Sequence, residues 1–271
     1  MTTPGSVQSP PEDASDLIPW QEGARTLGRL PSVLACGLVA VSAMTNSEAQ
    51  QAPAEHGWYT AARERMVADQ IERRGVRDPQ VIAAMRQVPR HLFVPKALRG
   101  MSYSDRPLPI GEGQTISQPY VVALMTELLA PTGEEKVLEI GTGSGYHAAV
   151  LSRVVGEVYT LEIVPGLGSR AARLLEGLGY DNVHVRIGDG YHGWPDEEPF
   201  DAMVLTAAPE EVPPPLIDQL RLGGKIVVPL GGDDQELIVL TKGEQGLRRQ
   251  RITPVRFVPM TGKAQEDPET P

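Results

Sequence analysis

The sequence predicts an α/β protein with a doubly wound, mostly parallel sheet that ends in an antiparallel C-terminal hairpin. Three observations predict it. After Pro131, five short apolar runs of the buried-strand type alternate with helical segments, and parallel strands at that spacing need right-handed crossovers with helices on both faces. The last two apolar runs are separated only by Lys242-Gly243-Glu244-Gln245-Gly246, too short a link for a crossover. Gly and Pro number 28 and 25 among 271 residues, which supplies more turns than an all-helical bundle uses.

Residues 1–58 are read as a disordered or signal-like leader. MTTPGSVQSPPEDASDLIP is rich in Pro, Ser and acid and has no periodicity. Arg25 and Arg29 then precede the uncharged run Leu30–Met44, and SEAQQA follows, the order of charge, apolar run and small residues found in secretory signals. The run starts late, contains Pro31, and places too few apolar residues before Cys36 for a lipoprotein site. Two readings stay open. A functional signal within 25–50 would send the protein to the periplasm; an unprocessed leader, with translation starting near Met44 or Met66, would leave it in the cytoplasm. The run is too short for a stable membrane span.

From Tyr59 the chain becomes periodic, and 59–263 is read as a single domain with N-terminal helices and an active-site loop in 59–130. Met66, Val67 and Ile71 lie against Arg and Glu positions and predict a helix over Ala61–Arg74, stopped at Gly75. Asp78 as N-cap and Pro79 at the first position predict a second helix, carrying Val81, Ile82, Met85 and Val88 and stopped by Pro89. Phe93 to Gln118 reads as a loop punctuated by Gly and Pro, and a helix follows from about Pro119 to Ala130. The core, 131–263, has strands predicted at Lys136–Ile140, Val158–Ile163, Val183–Ile187, Ala202–Thr206 and Lys225–Pro229. Helices are predicted near Tyr146–Val155, Gly168–Leu178 and Pro215–Leu220, and the hairpin is formed by Leu237–Thr241 and Leu247–Val255. An acidic tail, 264–271, closes the chain.

The sharpest local signal is Val137-Leu138-Glu139-Ile140-Gly141-Thr142-Gly143-Ser144-Gly145-Tyr146: a hydrophobic strand enters a glycine-rich turn that opens a helix. Glu162 lies 19 residues beyond Gly143, at the end of the next strand, where a carboxylate can accept from both hydroxyls of a ribose. Asp189, in Gly188-Asp189-Gly190 after the third strand, can accept from an adenine amino group. A dinucleotide site wants G-x-G-x-x-G, yet Tyr146 stands where the third glycine would be and Gly145 comes one place early. The G-x-G-x-G spacing after Glu139 fits S-adenosylmethionine instead, which has no pyrophosphate to cradle and whose cationic sulfonium and amino groups suit a nearby carboxylate. A bare tight turn and a nicotinamide or flavin site are the competing readings.

Together with GEGQTISQPY (111–120), this motif makes the chain resemble the protein-L-isoaspartate O-methyltransferases, within the Rossmann-like S-adenosylmethionine-dependent methyltransferases. The resemblance runs from about Tyr59 to Gly262 and includes VPRHLFVP (88–95), DRPLPIG (105–111), GYDNVHVRIGDGYHGWP (179–195), PFDAMVLTAAPEEVPP (199–214), LGGKIVVPLG (222–231) and VRFVPM (255–260). It implies methyl transfer to the α-carboxylate of an L-isoaspartyl residue in a damaged protein, whose ester closes to a succinimide and so begins repair. By position, Ser117 matches the family's active-site serine and would orient the acceptor carboxylate, while Thr115, Ile116 and Gln118 would shape the peptide groove. The resemblance assigns Gly141, Gly143 and Gly145 with Glu139 to the cofactor turn, Glu162 to the ribose, Asp189 and Gly190 to the adenine, and Thr206 and Ala207 to the methyl-transfer side. The family is commonly monomeric. This chain departs from it at Ile163, where many relatives have Arg, and in its leader, which puts the usual cytoplasmic location in doubt.

The remaining features have plainer readings. Ser117 can be simply the N-cap before Pro119. His56, His91, His147, His184 and His192 show no metal-ligand spacing, so no metal is expected. A serine hydrolase would need the G-x-S-x-G elbow, which Ser117 lacks. Arg248, Arg249 and Arg251 read as a solvated strand edge, and Asp233-Asp234 as a turn. A binding module that kept the fold and lost catalysis is disfavoured by intact Ser117, Glu162 and Asp189. A methyltransferase acting on a small-molecule carboxyl or hydroxyl group is the nearest alternative. The net charge of −10 disfavours a partner bound through phosphates, so no nucleic acid is expected.

Overall fold

The computed structural model describes residues 57–265. The leader reading for the residues before 57, the signal-like run within 25–50, Cys36 and the acidic tail from Glu266 fall outside the described residues.

Helix α1 (57–66) begins four residues before the predicted Ala61 and passes directly into a π-turn, Val67–Ile71, and a 3₁₀ turn, Glu72–Arg74. Met66, Val67 and Ile71 are fully buried along one stripe. Helix α2 (Pro79–Gln87) is capped by Asp78, which accepts from the N–H groups of Gln80 (2.8 Å) and Val81 (3.2 Å), two of the donors that a helix start leaves unpaired.

The stretch predicted as a loop from Phe93 to Gln118 carries regular elements instead. A 3₁₀ turn at Arg90–Phe93 leads into it, and it contains a second at Lys96–Met101 and a two-stranded hairpin, β1 (Leu108–Gly111) with β2 (Gln114–Ile116). Its turn residues, Glu112 and Gly113, both have positive φ (52° and 70°), as the tightest hairpin turn requires. Pro109 inside a four-residue strand and glycines on both sides of Glu112 had hidden it. Helix α3 (Pro119–Leu129) follows, with Gln118 and not Ser117 at the N-cap position.

The core alternates as predicted: β3 (Lys136–Ile140), α4 (Tyr146–Leu151), β4 (Glu157–Glu162), α5 (Pro165–Gly177), β5 (Val183–Ile187), β6 (Phe200–Leu205), α6 (Pro214–Gln219), β7 (Leu220–Leu230), β8 (Gln235–Gly243) and β9 (Gly246–Val255). Helix α4 stops four residues before the predicted Val155. Ser152 Oγ turns back to Ala149 O (2.8 Å), and Asn182 Nδ2 donates to the carbonyls of Ser152, Val155 and Gly156, so this backbone is satisfied without a helix. Helix α5 starts three residues early because Pro165 fits the first helical position.

The sheet order is β5-β4-β3-β6-β7-β8-β9, with β3 to β7 parallel and β8 and β9 antiparallel. Its two faces are covered unequally. Val137, Val158, Val204 and Val227 face a core shared with α1 to α5, whereas Leu138, Leu161, Met203 and Ile226 face α6 and the 3₁₀ turns around Tyr191 and Ala264. This alternation is the period of two that separates the faces of a strand. No helix among the described residues is long and apolar enough to cross a membrane.

Candidate active site

The sheet order reverses beside β3, with β4 on one side and β6 on the other. Ligands of open α/β sheets bind outside the strand ends at such a point. The turn leaving β3 there is held from β6: Thr206 N–H donates to Ile140 O (2.9 Å) and Thr206 Oγ1 donates to Gly141 O (2.6 Å). Gly141 has φ +98°, and a Cβ on it would overlap Thr206 Oγ1, so the close approach of the two strand ends requires glycine. Gly143 N–H donates to Glu162 Oε2 (2.7 Å) and Val164 N–H to Glu162 Oε1 (2.9 Å). These two bonds aim the carboxylate of this buried residue from the end of β4, and each oxygen keeps an acceptor site for a ligand hydroxyl.

Gly141, Gly143, Glu162, Gly190, Thr206 and Ala207 line one cleft, and Thr115, Ile116 and Ser117 close it from the hairpin side. A second, larger cavity adjoins it, lined in part by Arg74, Tyr120, Leu124 and Phe257. The two share Thr115, Ser117, Thr206 and Val258. Ser117 stands at that junction, half-buried, with its hydroxyl free of any hydrogen bond among the described residues. Gln118 faces only the second cavity and donates Nε2 to Asp105 O (3.1 Å).

Three of the cofactor candidates also lie off the cleft wall. Gly145 packs against α5, where a Cβ would come within 3.1 Å of Leu175. Asp189 accepts from Tyr191 N–H (2.9 Å) and Lys263 N–H (2.8 Å) and thereby ties down the segment beside Gly190. Glu139 is fully buried behind the glycine turn. Its Oε2 accepts from Thr160 Oγ1 (2.6 Å), while Oε1 has no hydrogen-bond partner. Burial pushes its carboxyl up to about 8, helped by the charge of Glu162 and opposed by the Thr160 bond. His147 lines the cleft, takes a Thr126 Oγ1 contact at Nε2 (3.1 Å), and is pushed by burial down to about 3, so its ring is neutral. Its Nδ1 is 3.9 Å from Glu139 Oε1, too far for a hydrogen bond between two neutral groups.

Two contributions escaped the reading of the sequence. Val258–Thr261 forms part of the cleft wall, held by Ala208 N–H to Val258 O and Met260 N–H to Ala208 O, both 2.8 Å. Arg90 is fully buried and donates Nη2 to Ser117 O (2.7 Å). Both lie within stretches that carry the resemblance, VRFVPM and VPRHLFVP, but neither has a local pattern that announces a site. Among the described residues no three His, Cys, Asp or Glu converge as a metal site would need.

A family model described as protein-L-isoaspartate(D-aspartate) O-methyltransferase matches residues 61–265. The chain belongs to the protein-L-isoaspartate O-methyltransferase family. It is 57% identical over 211 residues to protein-L-isoaspartate O-methyltransferase 2 of Shewanella sediminis, an alignment covering 77% of this chain and 86% of that one. With the protein-L-isoaspartate O-methyltransferase of Gloeobacter violaceus it shares 57% identity over 198 residues, 72% of this chain and 97% of that one. A solved protein-L-isoaspartate O-methyltransferase superposes with a TM-score of 0.69 at 32% identity, over 74% of this chain and 67% of the other. A candidate protein-L-isoaspartate O-methyltransferase from Plasmodium falciparum, solved with S-adenosyl-L-homocysteine, gives 0.62 at 26% identity, over 75% and 98%. The family match spans both the Gly141–Gly145 turn and the Ser117 loop, so the two halves of the site described above fall inside it.

Proposed function

We propose that the protein transfers the methyl group of S-adenosylmethionine to the α-carboxylate of L-isoaspartyl residues in damaged proteins and peptides. The observation that carries this reading is the junction at Ser117, where the cleft lined by the glycine turn, Glu162 and Gly190 opens onto a groove on the other side of the same serine. S-Adenosylmethionine, when bound, supplies an electrophilic sulfonium methyl. The Glu162 carboxylate, already oriented by two backbone N–H groups, takes the ribose hydroxyls, and Gly141 and Gly143 line the same cleft. Thr206 fixes their turn from β6. Ser117 donates its hydroxyl to the acceptor carboxylate, and Thr115, Ile116 and Gln118 shape its approach.

The acceptor carboxylate has an ordinary pKa near 4 and is a nucleophile at neutral pH, so the transfer needs no general base. The neutral, buried His147 accordingly serves as wall and not as base. Rate enhancement then rests on holding the carboxylate oxygen in line with the methyl and on keeping water out. Arg256 lines the groove, which suits an anionic acceptor, while Arg74 there is already paired with Asp105 (2.7 Å). The same reading takes residues 59–263 as one methyltransferase domain, acting in the cytoplasm as a monomer, with no part for nucleic acid.

The test is methylation of an isoaspartyl peptide beside its aspartyl isomer. Label is expected in the first alone; equal labelling of both, or of neither, sinks the assignment.

A further inference from the structure

The described residues hold one buried cation that the mechanism above leaves without a part. Arg90 is 0% exposed, in the 3₁₀ turn Arg90–Phe93. Its Nε donates to Ser102 O (2.7 Å) and its Nη2 to Ser117 O (2.7 Å). The guanidinium stands over the Tyr146 ring, 4.7 Å from its centroid, and Tyr146 is the residue that follows the glycine turn. No carboxylate is within ion-pairing distance of it among the described residues, and Nη1 has no hydrogen-bond partner. Burial lowers its pKa only to about 10, so the group stays charged at neutral pH.

Burying a cation without a counter-ion is costly, and an apolar side chain of similar length would fill the space more cheaply. What an apolar side chain could not do is join three segments distant in sequence. The planar fork of arginine reaches two carbonyls at fixed angles while its face rests on an aromatic ring. Here the fork connects the Ser102 turn, the Ser117 loop and the start of α4. The last two are the acceptor side and the cofactor side of the cleft.

We infer that Arg90 is a positioning residue for methyl transfer: by clamping the Ser117 carbonyl against the Ser102 turn and the Tyr146 ring, it fixes the Ser117 hydroxyl relative to the cofactor turn. This rests on the reading of Ser117 given above.

The experiment is a double-mutant cycle between Arg90 and Ser117, with isoaspartyl peptide as acceptor and rates expressed per cofactor-binding site counted by calorimetry, so that misfolded protein drops out. Arg90→Met is expected to lower kcat on the order of 10–100-fold, the cost of an ångström-scale misplacement, while S-adenosylhomocysteine affinity stays within about threefold of wild type. Arg90→Lys, which keeps the charge and one donor, should recover part of the loss. In a Ser117→Ala background, Arg90→Met should lower kcat by less than about threefold, because no hydroxyl remains to be placed. Amide exchange across 114–118 should be faster in Arg90→Met, a readout independent of activity. An equal factor in both backgrounds, or loss of cofactor affinity in step with kcat, overturns the inference. Should wild-type protein fail to methylate the peptide at all, the functional reading itself has failed, which is a separate outcome.

Discussion

Glu162 spends one acceptor site of each carboxylate oxygen on its own chain, through Gly143 N–H and Val164 N–H, and on the function proposed above this prepares it for a ribose. Replacing it by alanine strands both donors and any ligand hydroxyls, so S-adenosylmethionine binding should weaken by about 1–3 kcal/mol, read by calorimetry. Ser117→Ala removes a hydroxyl that holds nothing together in the fold. It should therefore cut methyl transfer while leaving cofactor affinity unchanged, and a loss of affinity alone would reverse the assignment. The position of both on the cleft wall was legible in the sequence, that of Glu162 from its 19-residue spacing to Gly143 and that of Ser117 from its resemblance motif. Glu139 was legible as an acid before the glycine turn, but not where it points. Strand alternation puts Leu138 and Ile140 on one face and Val137 and Glu139 on the other, and only the packing of α4 shows that the Glu139 face is closed. Arg90 was illegible because a lone arginine after Val-Pro looks like any surface cation until three distant segments converge on it.

At the scale of elements, the signals that worked were those with a local physical cause. Asp78-Pro79 wrote the start of α2 into four atoms of side chain, and Pro165 wrote the start of α5. Asp78→Ala should lower unfolding stability by about 0.5–2 kcal/mol in a denaturant titration, the usual cost of an N-cap. Glu127 of α3 accepts from the backbone N–H groups of Arg77 and Asp78 at 2.5 and 2.7 Å, bonds that the substitution keeps, so α2 stays docked against α3 and the loss is that of the cap alone. A change below about 0.3 kcal/mol would show that the cap is dispensable once the helices are packed. The elements that were missed depend on distant partners. Hairpin β1–β2 is two short strands with a proline in one of them, and past the end of α4 the carbonyls of Ser152, Val155 and Gly156 are satisfied by Asn182, thirty residues beyond Ser152.

The whole molecule was the most legible of all, because the alternation of strand and helix fixes the class and the short link between β8 and β9 fixes its antiparallel end. Residues 59–263 carry 23 Lys and Arg against 26 Asp and Glu, so most of the charge of −10 belongs to sequence outside this stretch. The stability of the domain should therefore depend on pH less through net repulsion than through its buried ionisable groups, Glu139 and His147. Glu139 is protonated more readily in the folded state, about 8 against an ordinary 4.5. Its contribution is thus fully present below pH 4.5 and is lost as pH rises through about 8. His147 has the opposite sign: with a folded value near 3 against 6.5, its contribution is present above pH 6.5 and is lost as pH falls toward 3. Glu139→Gln keeps the volume and the Thr160 partner but cannot ionise. Its melting temperature relative to wild type should climb between pH 5 and 8 and level off above that, while the acid limb set by His147 stays in both proteins. A difference in melting temperature that is constant from pH 5 to 9 would mean that Glu139 does not titrate in this window, and that the partnerless Oε1 is paired in solution.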